Sequence, residues 1–225
     1  DIGPGSHVGV AFGYGTNFPA KYQQALYCLD WTFGTMYVVH FTPAGSSYAA
    51  VKEEFLSRTP LPLTDIAISP DGAMYFTIGG RGAQSELYRV TYRGDEITQK
   101  ESLYGDSVSA QQMRKLRRSL EQLHHHATED AVDETVAVAL KHLGHSDRHI
   151  RYAARIALEN QPVSLWRKQL IPMKNNSNAM EVINGTIALA RQGESTDAAR
   201  ALTLLQSLSY ERLEPTQQLD LLRAY

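Results

Sequence analysis

Residues Leu63 to Val90 constrain the chain most: LTDIAISPDG, AMYFTIGG and RGAQSELYRV read as three short strands joined by a tight turn and a glycine loop. Ile66 and Ile68 alternate with Ala67 and Ser69, and Met74, Phe76 and Ile78 alternate again, the period of a half-buried strand. Between them Pro70 fixes its own φ, Asp71 has a side chain able to cap its turn, and Gly72 is free to take a positive φ.

This is the grammar of a β-propeller blade. An earlier unit repeats it, with strands expected at Val8 to Phe12, Ala25 to Asp30, Thr35 to Thr42 and Tyr48 to Phe55, and with Pro43-Ala44-Gly45 standing where Pro70-Asp71-Gly72 stands later. The later unit has strands near Thr64 to Ser69, Ala73 to Ile78 and Glu86 to Tyr92, and a weak fourth near Glu96 to Leu103. Two blades cannot close a propeller, which has roughly four to eight. The fold expected is therefore an incomplete propeller of about two blades, completed by further sequence of a parent polypeptide, by other copies in a homo-oligomer, or not at all.

A composition shift near residue 105 divides the chain into 1–105 and 106–225. Most of the Gly, Tyr and Phe lie before it; Ala, Leu, Arg and Gln at helical spacing follow it. The polar stretch Arg93 to Ser109 suits a linker, with Ser107 or Ser109 capping the next helix. Helices are expected over Ala110 to His126, Glu129 to Leu143, Asp147 to Asn160, Ser164 to Met173, Ala179 to Gln192, Asp197 to Leu208 and Pro215 to Ala224. Residues Arg148 to Leu158 align with Ala179 to Leu189 at an offset of about thirty residues, which suits stacked helical hairpins in an α-solenoid.

Bulk properties exclude several classes. The chain has 225 residues, is 43% hydrophobic and 20% charged, and sets 22 basic against 24 acidic residues for a net charge of -2, so nothing recommends nucleic acid or an anionic membrane as partner. No apolar run is long enough to span a bilayer. A single cysteine, Cys28, rules out an internal disulfide framework and suits a buried small hydrophobe. The first residue is Asp1 and strand-like text begins almost at once, so the chain reads as processed or excised from something longer.

The segment His145-Ser146-Asp147-Arg148-His149-Ile150-Arg151-Tyr152-Ala153-Ala154 resembles the second helix of a HEAT repeat. On that resemblance Asp147 caps its helix and Arg151 reaches a neighbouring repeat's carboxylate or carbonyl. The β part is similar to the last blades of the glucose/sorbosone-dehydrogenase-like propellers, through Phe18-Pro19-Ala20-Lys21-Tyr22, Leu29-Asp30-Trp31, Asp65 with Pro70-Asp71-Gly72, and Leu87-Tyr88-Arg89-Val90. Propeller followed by HEAT array resembles the planctomycete-type membrane-bound dehydrogenases. The resemblance implies a periplasmic or secreted location and either a binding or scaffold module with a protein partner, or part of a quinone- or haem-linked oxidoreductase acting on sugars; whether the chain is an enzyme stays open.

The family's quinone enzymes imply an Arg-x-Arg before Asp65, where this chain has Pro62-Leu63-Thr64. Losing two guanidinium forks removes the charge-assisted contacts that hold an anionic cofactor. A c-type haem needs two cysteines. Pyrroloquinoline quinone or haem is therefore expected only in parts outside this chain, and no catalytic residue can be assigned. The candidate channel or ligand contacts are Asp30, Trp31, Asp65 and Arg81, set against the plainer alternative that Trp31 packs between adjacent blades and Asp30 fixes a turn. The loop Gly79-Gly80-Arg81-Gly82 could wrap an anion, but it precedes a strand and reads better as a plain loop. No metal site is expected: His124-His125-His126 point three ways and read as a solvated helix end, and a break separates His142 from His149.

Overall fold

The computed structural model describes residues 3–99, 107–175 and 178–225. They fall into two compact units, one of Asp1–Ala44 with Tyr48–Asp106 and one of Gly45–Ser47 with Ser107–Tyr225.

The first unit holds two antiparallel sheets. Strands β1 (His7–Phe12), β2 (Leu26–Asp30), β3 (Thr35–Ala44) and β4 (Ser47–Ser57) lie side by side in chain order, with the single-turn helix α1 (Ala20–Gln23) between β1 and β2. Strands β5 (Leu63–Ile68), β6 (Met74–Gly80) and β7 (Ala83–Val90) form the second sheet, also in order. The β5–β6 turn forms for reasons its residues dictate. Gly72 takes φ +80, its amide donates to the Ser69 carbonyl at 2.9 Å, and the Asp71 carboxylate accepts from the Ala73 amide at 3.0 Å. That amide and the Arg89 guanidinium hold the Asp71 carboxyl below its usual range.

Inward residues of both sheets fill one core: Tyr27, Leu29, Met36 and Val38 from the first sheet, Leu63, Ile66, Met74, Phe76 and Ile78 from the second, with Phe18 and Leu61 from the connections. This arrangement overturns the incomplete β-propeller. The sheets are not two copies of one blade: they have four strands and three, and the β3–β4 hairpin, with strands of 10 and 11 residues, has no counterpart in the second sheet. Period-two alternation places strands and hairpins, but how sheets stack follows from which faces are apolar, and here both inner faces close on one another. The homo-oligomer invoked to complete a ring loses its premise with the ring. The weak fourth strand is not present over 96–99, and the rest of it lies outside the described residues.

The second unit consists of α2 (Val108–Glu121), α3 (Val132–His142), α4 (Arg148–Glu159), the single turn α5 (Val163–Trp166), α6 (Ala179–Gln192), α7 (Ala198–Gln206) and α8 (Pro215–Ala224), with 3-10 turns at Arg167–Asn175, Ser195–Asp197 and Tyr210–Arg212. Helix α4 buries Ile150, Ala153, Ala154, Ala157 and Leu158, a stripe at three- and four-residue spacing whose alanines admit close neighbours. It packs with α2, α3 and α6 around Leu120, Val136, Leu143, Trp166 and Leu189. Two buried carboxylates each sit between two arginines, Glu159 with Arg155 and Arg191, and Asp197 with Arg167 and Arg200.

The HEAT-type solenoid is likewise corrected. A repeat needs two full helices per hairpin, whereas the partner expected over Ser164 to Met173 is one α-turn running into a nine-residue 3-10 stretch. The alignment of Arg148 to Leu158 with Ala179 to Leu189 records two helices with similar buried faces, not two copies of a stacked unit.

Candidate functional site

Sequence reasoning singled out Asp30, Trp31, Asp65 and Arg81, and the fold brings two of them into contact. Trp31 follows the last residue of β2, and its indole N–H donates to the Gly79 carbonyl of β6 at 2.9 Å, which fixes the ring. The Arg81 guanidinium lies over that ring, 4.8 Å from the centroid. Arg81 and Gly82 are the two central residues of the β6–β7 hairpin, closed by the Gly80–Ala83 pair, with φ of +49 and +79. Among the described residues Arg81 is the only non-glycine with positive φ. A side chain in that region costs about 1 kcal/mol.

Asp30 is fully buried and organises backbone. Its Oδ1 accepts from the amides of Ser6 at 3.0 Å, Thr32 at 2.9 Å and Phe33 at 3.4 Å, so one oxygen ties the approach to β1 to the β2–β3 turn. Its Oδ2 is buried without a hydrogen bond, beneath Gly5, where any Cβ would overlap it. Asp65 is exposed, and its Oδ1 accepts from the adjacent Ile66 amide. No hydrogen bond or ion pair among the described residues joins it to Trp31 or Arg81.

The residues picked for the helical unit do local work. Asp147 is the N-cap of α4, accepting from the amides of His149 at 2.9 Å and Ile150 at 3.2 Å and from the amide and hydroxyl of Ser46, each at 2.8 Å. Burial opposes ionisation of this carboxyl, but those donors outweigh it and hold it at about 2 against an ordinary 3.8. A depressed carboxyl stabilises the fold above its unfolded value and stops doing so as pH falls through its folded one. Acid titration followed by helical circular dichroism should thus show a loss of stability from pH 3.8 down to about 2 that Asp147→Asn flattens; an unchanged acid limb in the variant would refute it. Arg151 donates to the carbonyls of His145 at 2.7 Å and Ser146 at 2.8 Å, in the loop before its own helix.

The structure places the histidine triplet off its expected helix. Helix α2 ends at Glu121, so His124 to His126 lie in the following loop, and His124 Nε2 bonds the Ala153 carbonyl at 2.8 Å. Among the described residues no three His, Cys, Asp or Glu side chains gather as metal ligands would. Sequence reasoning also missed a cluster on β3, β4 and α1: Glu53 accepts from the Tyr22 hydroxyl at 2.8 Å and faces His40 Nε2 at 2.9 Å. Those two contacts hold the Glu53 carboxyl below its usual range. These residues lie on three elements and 13 to 31 positions apart in the chain, so no motif spacing could have revealed them.

The outer face of the four-stranded sheet is a further unassigned feature. Across the strands Phe12 opposes Leu26, which opposes Val39, and Val10 opposes Cys28, which opposes Tyr37. Phe12 stacks on Tyr14 with centroids 4.9 Å apart, lies 6.2 Å from Phe41, and Phe41 meets Tyr48 edge-on at 6.1 Å. Val10 is 62% exposed, Tyr48 46%, Phe12 41% and Phe41 39%. A sheet apolar on both faces calls for a second covering layer. Among the described residues no helix is long and apolar enough to cross a membrane. In comparison with known protein families, curated proteins and solved structures, the chain matches none.

Proposed function

We propose that the chain acts as a binding module, docking a protein partner on the outer face of its four-stranded sheet. The reading rests on the exposed aromatic residues Phe12, Tyr14 and Phe41 beside Val10: aromatic residues clustered on one face are the composition of an interface core. A photo-cross-linking residue at position 41, used in extract of the source cells, should give one discrete protein adduct, and the same residue at the exposed Lys115 none. Phe12→Ser should weaken that adduct by about tenfold or more while changing stability by less than about 1 kcal/mol. Equal labelling from both positions, or none from position 41, would refute the docking face.

The resemblance to sugar-dehydrogenase-like proteins supports a second reading, an extracytoplasmic module working beside a quinone- or haem-linked oxidoreductase centre carried elsewhere. Pro62-Leu63-Thr64 and the solitary Cys28 support placing that centre outside this chain. A stoichiometric chromophore in the absorbance spectrum of the purified chain would count against that placement.

A further inference from the structure

We infer that Arg81, held on Trp31, is a binding site for a carboxylate. Four arginines among the described residues lie over an aromatic ring, and three of them also serve an acceptor. Arg58 over Tyr88 donates to that hydroxyl and to the Pro60 carbonyl, Arg89 over Tyr75 pairs with Asp71, and Arg155 over Tyr152 pairs with Glu159. Arg81 is the exception: no acceptor among the described residues meets its guanidinium, and the residue is exposed.

Its placement is fixed on three sides. The indole N–H is bound to the Gly79 carbonyl at 2.9 Å, the Trp31 amide donates to the Ser6 carbonyl at 2.9 Å, and the hairpin turn sets the direction in which the Arg81 side chain leaves the backbone. A turn of this shape favours Asn, Asp or Gly at its first central position, yet carries an arginine at φ +49. Local strain of this kind, at a guanidinium whose N–H groups meet no acceptor among the described residues, points to use of those donors on something outside the fold. Stacking covers one face of the guanidinium and leaves its edge, a planar pair of N–H donors matched by the two oxygens of a carboxylate.

Two residues of the loop are already engaged within the fold. The Gly79 amide donates to the Pro62 carbonyl at 2.9 Å, and Gly80 pairs with Ala83 across the hairpin. A single fork carrying one positive charge fits a monoanion better than a phosphate dianion. The site stands on this geometry whether or not the aromatic face docks a protein, and a carboxylate could reach it as a small free acid or as an acidic side chain.

The test is a titration of the 225-residue chain followed by the indole N–H resonances, with Trp31→Phe assigning the signal of Trp31. The probes are sodium acetate, a capped tetraglutamate peptide, a capped tetraglutamine peptide and inorganic phosphate. The Trp31 indole and the amides of residues 79–82 should shift saturably with tetraglutamate and not with tetraglutamine. Saturation by acetate as well identifies a free carboxylate as sufficient, whereas saturation by the peptide alone identifies an acidic side chain. Arg81→Gly, which suits the positive φ and should keep or raise the melting temperature, is expected to abolish the response. Arg81→Lys, which keeps the charge but not the fork, should weaken it about tenfold. No saturable shift in the unaltered chain, the same shift in Arg81→Gly, or equal shifts from tetraglutamine or phosphate would each overturn the assignment.

Discussion

Trp166→Ala is expected to remove about 4 kcal/mol from the stability of the helical unit, within the range for deleting a large aromatic from a packed core. Trp166 is 0% exposed at the end of α5, among the residues that close around α4. Its indole N–H donates to the Gln161 carbonyl at 3.1 Å. The Gln161 side chain in turn donates to the His125 carbonyl at 2.8 Å and accepts from the Ala127 amide at 3.1 Å, so the loop after α2 hangs on the same residue that the tryptophan positions. The alanine variant leaves both a cavity and an unanswered carbonyl. Trp166→Phe keeps most of the volume and should cost only about 1–2 kcal/mol through the lost hydrogen bond. Urea unfolding monitored by helical circular dichroism measures both; a loss below about 1 kcal/mol for alanine would mean that α5 and the 3-10 stretch after it add little to the core.

That 3-10 stretch shows where sequence legibility stops. Helices α6 and α8 begin and end where the sequence reading puts them, because Asn178 caps one and Pro215 opens the other. The segment after Pro162 has apolar spacing as good as theirs, yet only Val163–Trp166 is α-helical. Local propensity does not settle a segment whose hydrogen bonding depends on what it packs against. The strands divide in the same way. Pro70-Asp71-Gly72 and the alternation around it determine β5 and β6, since every group involved is within a few residues. Whether the two sheets form a ring segment or close on each other depends on contacts between residues far apart in the chain, such as Leu29 and Met74 in one core, and no local pattern encodes that.

Site residues follow the same rule. Trp31 and Arg81 could be suspected from their types, but their stacking depends on Gly79 reaching the indole from the other sheet and on a positive φ at an arginine that no propensity scale anticipates. The outer aromatic face was written in the sequence as Val10 and Phe12 flanking Ala11, with Phe41 beyond Val39, yet alternation alone does not say that both faces of a sheet are apolar until register sets these residues side by side.

Asp30→Ala is expected to destabilise the first unit by about 3 kcal/mol, the second large effect. Hydrogen bonds to an ionised group contribute about 1.5–3 kcal/mol each, and three that share one oxygen fall short of additive. The loss should be local before it is global. Without the carboxylate, the amides of Thr32 and Phe33 turn to solvent and the Ser6 approach to β1 is released, so hydrogen exchange should quicken first at residues 6, 32 and 33 and only later at Tyr27 to Leu29. Asp30→Asn retains an acceptor oxygen and should cost about half as much, provided its amide nitrogen replaces the Oδ2 that now lies unpartnered beneath Gly5. The experiment also separates two roles for this residue. A carboxylate kept for a ligand, and costly to bury with one oxygen unsatisfied, could be removed with little loss or even a gain in stability. A carboxylate kept for the turn cannot, and the three amides converging on one oxygen put Asp30 in the second class; unchanged exchange at Thr32 and Phe33 in the alanine variant would return it to the first.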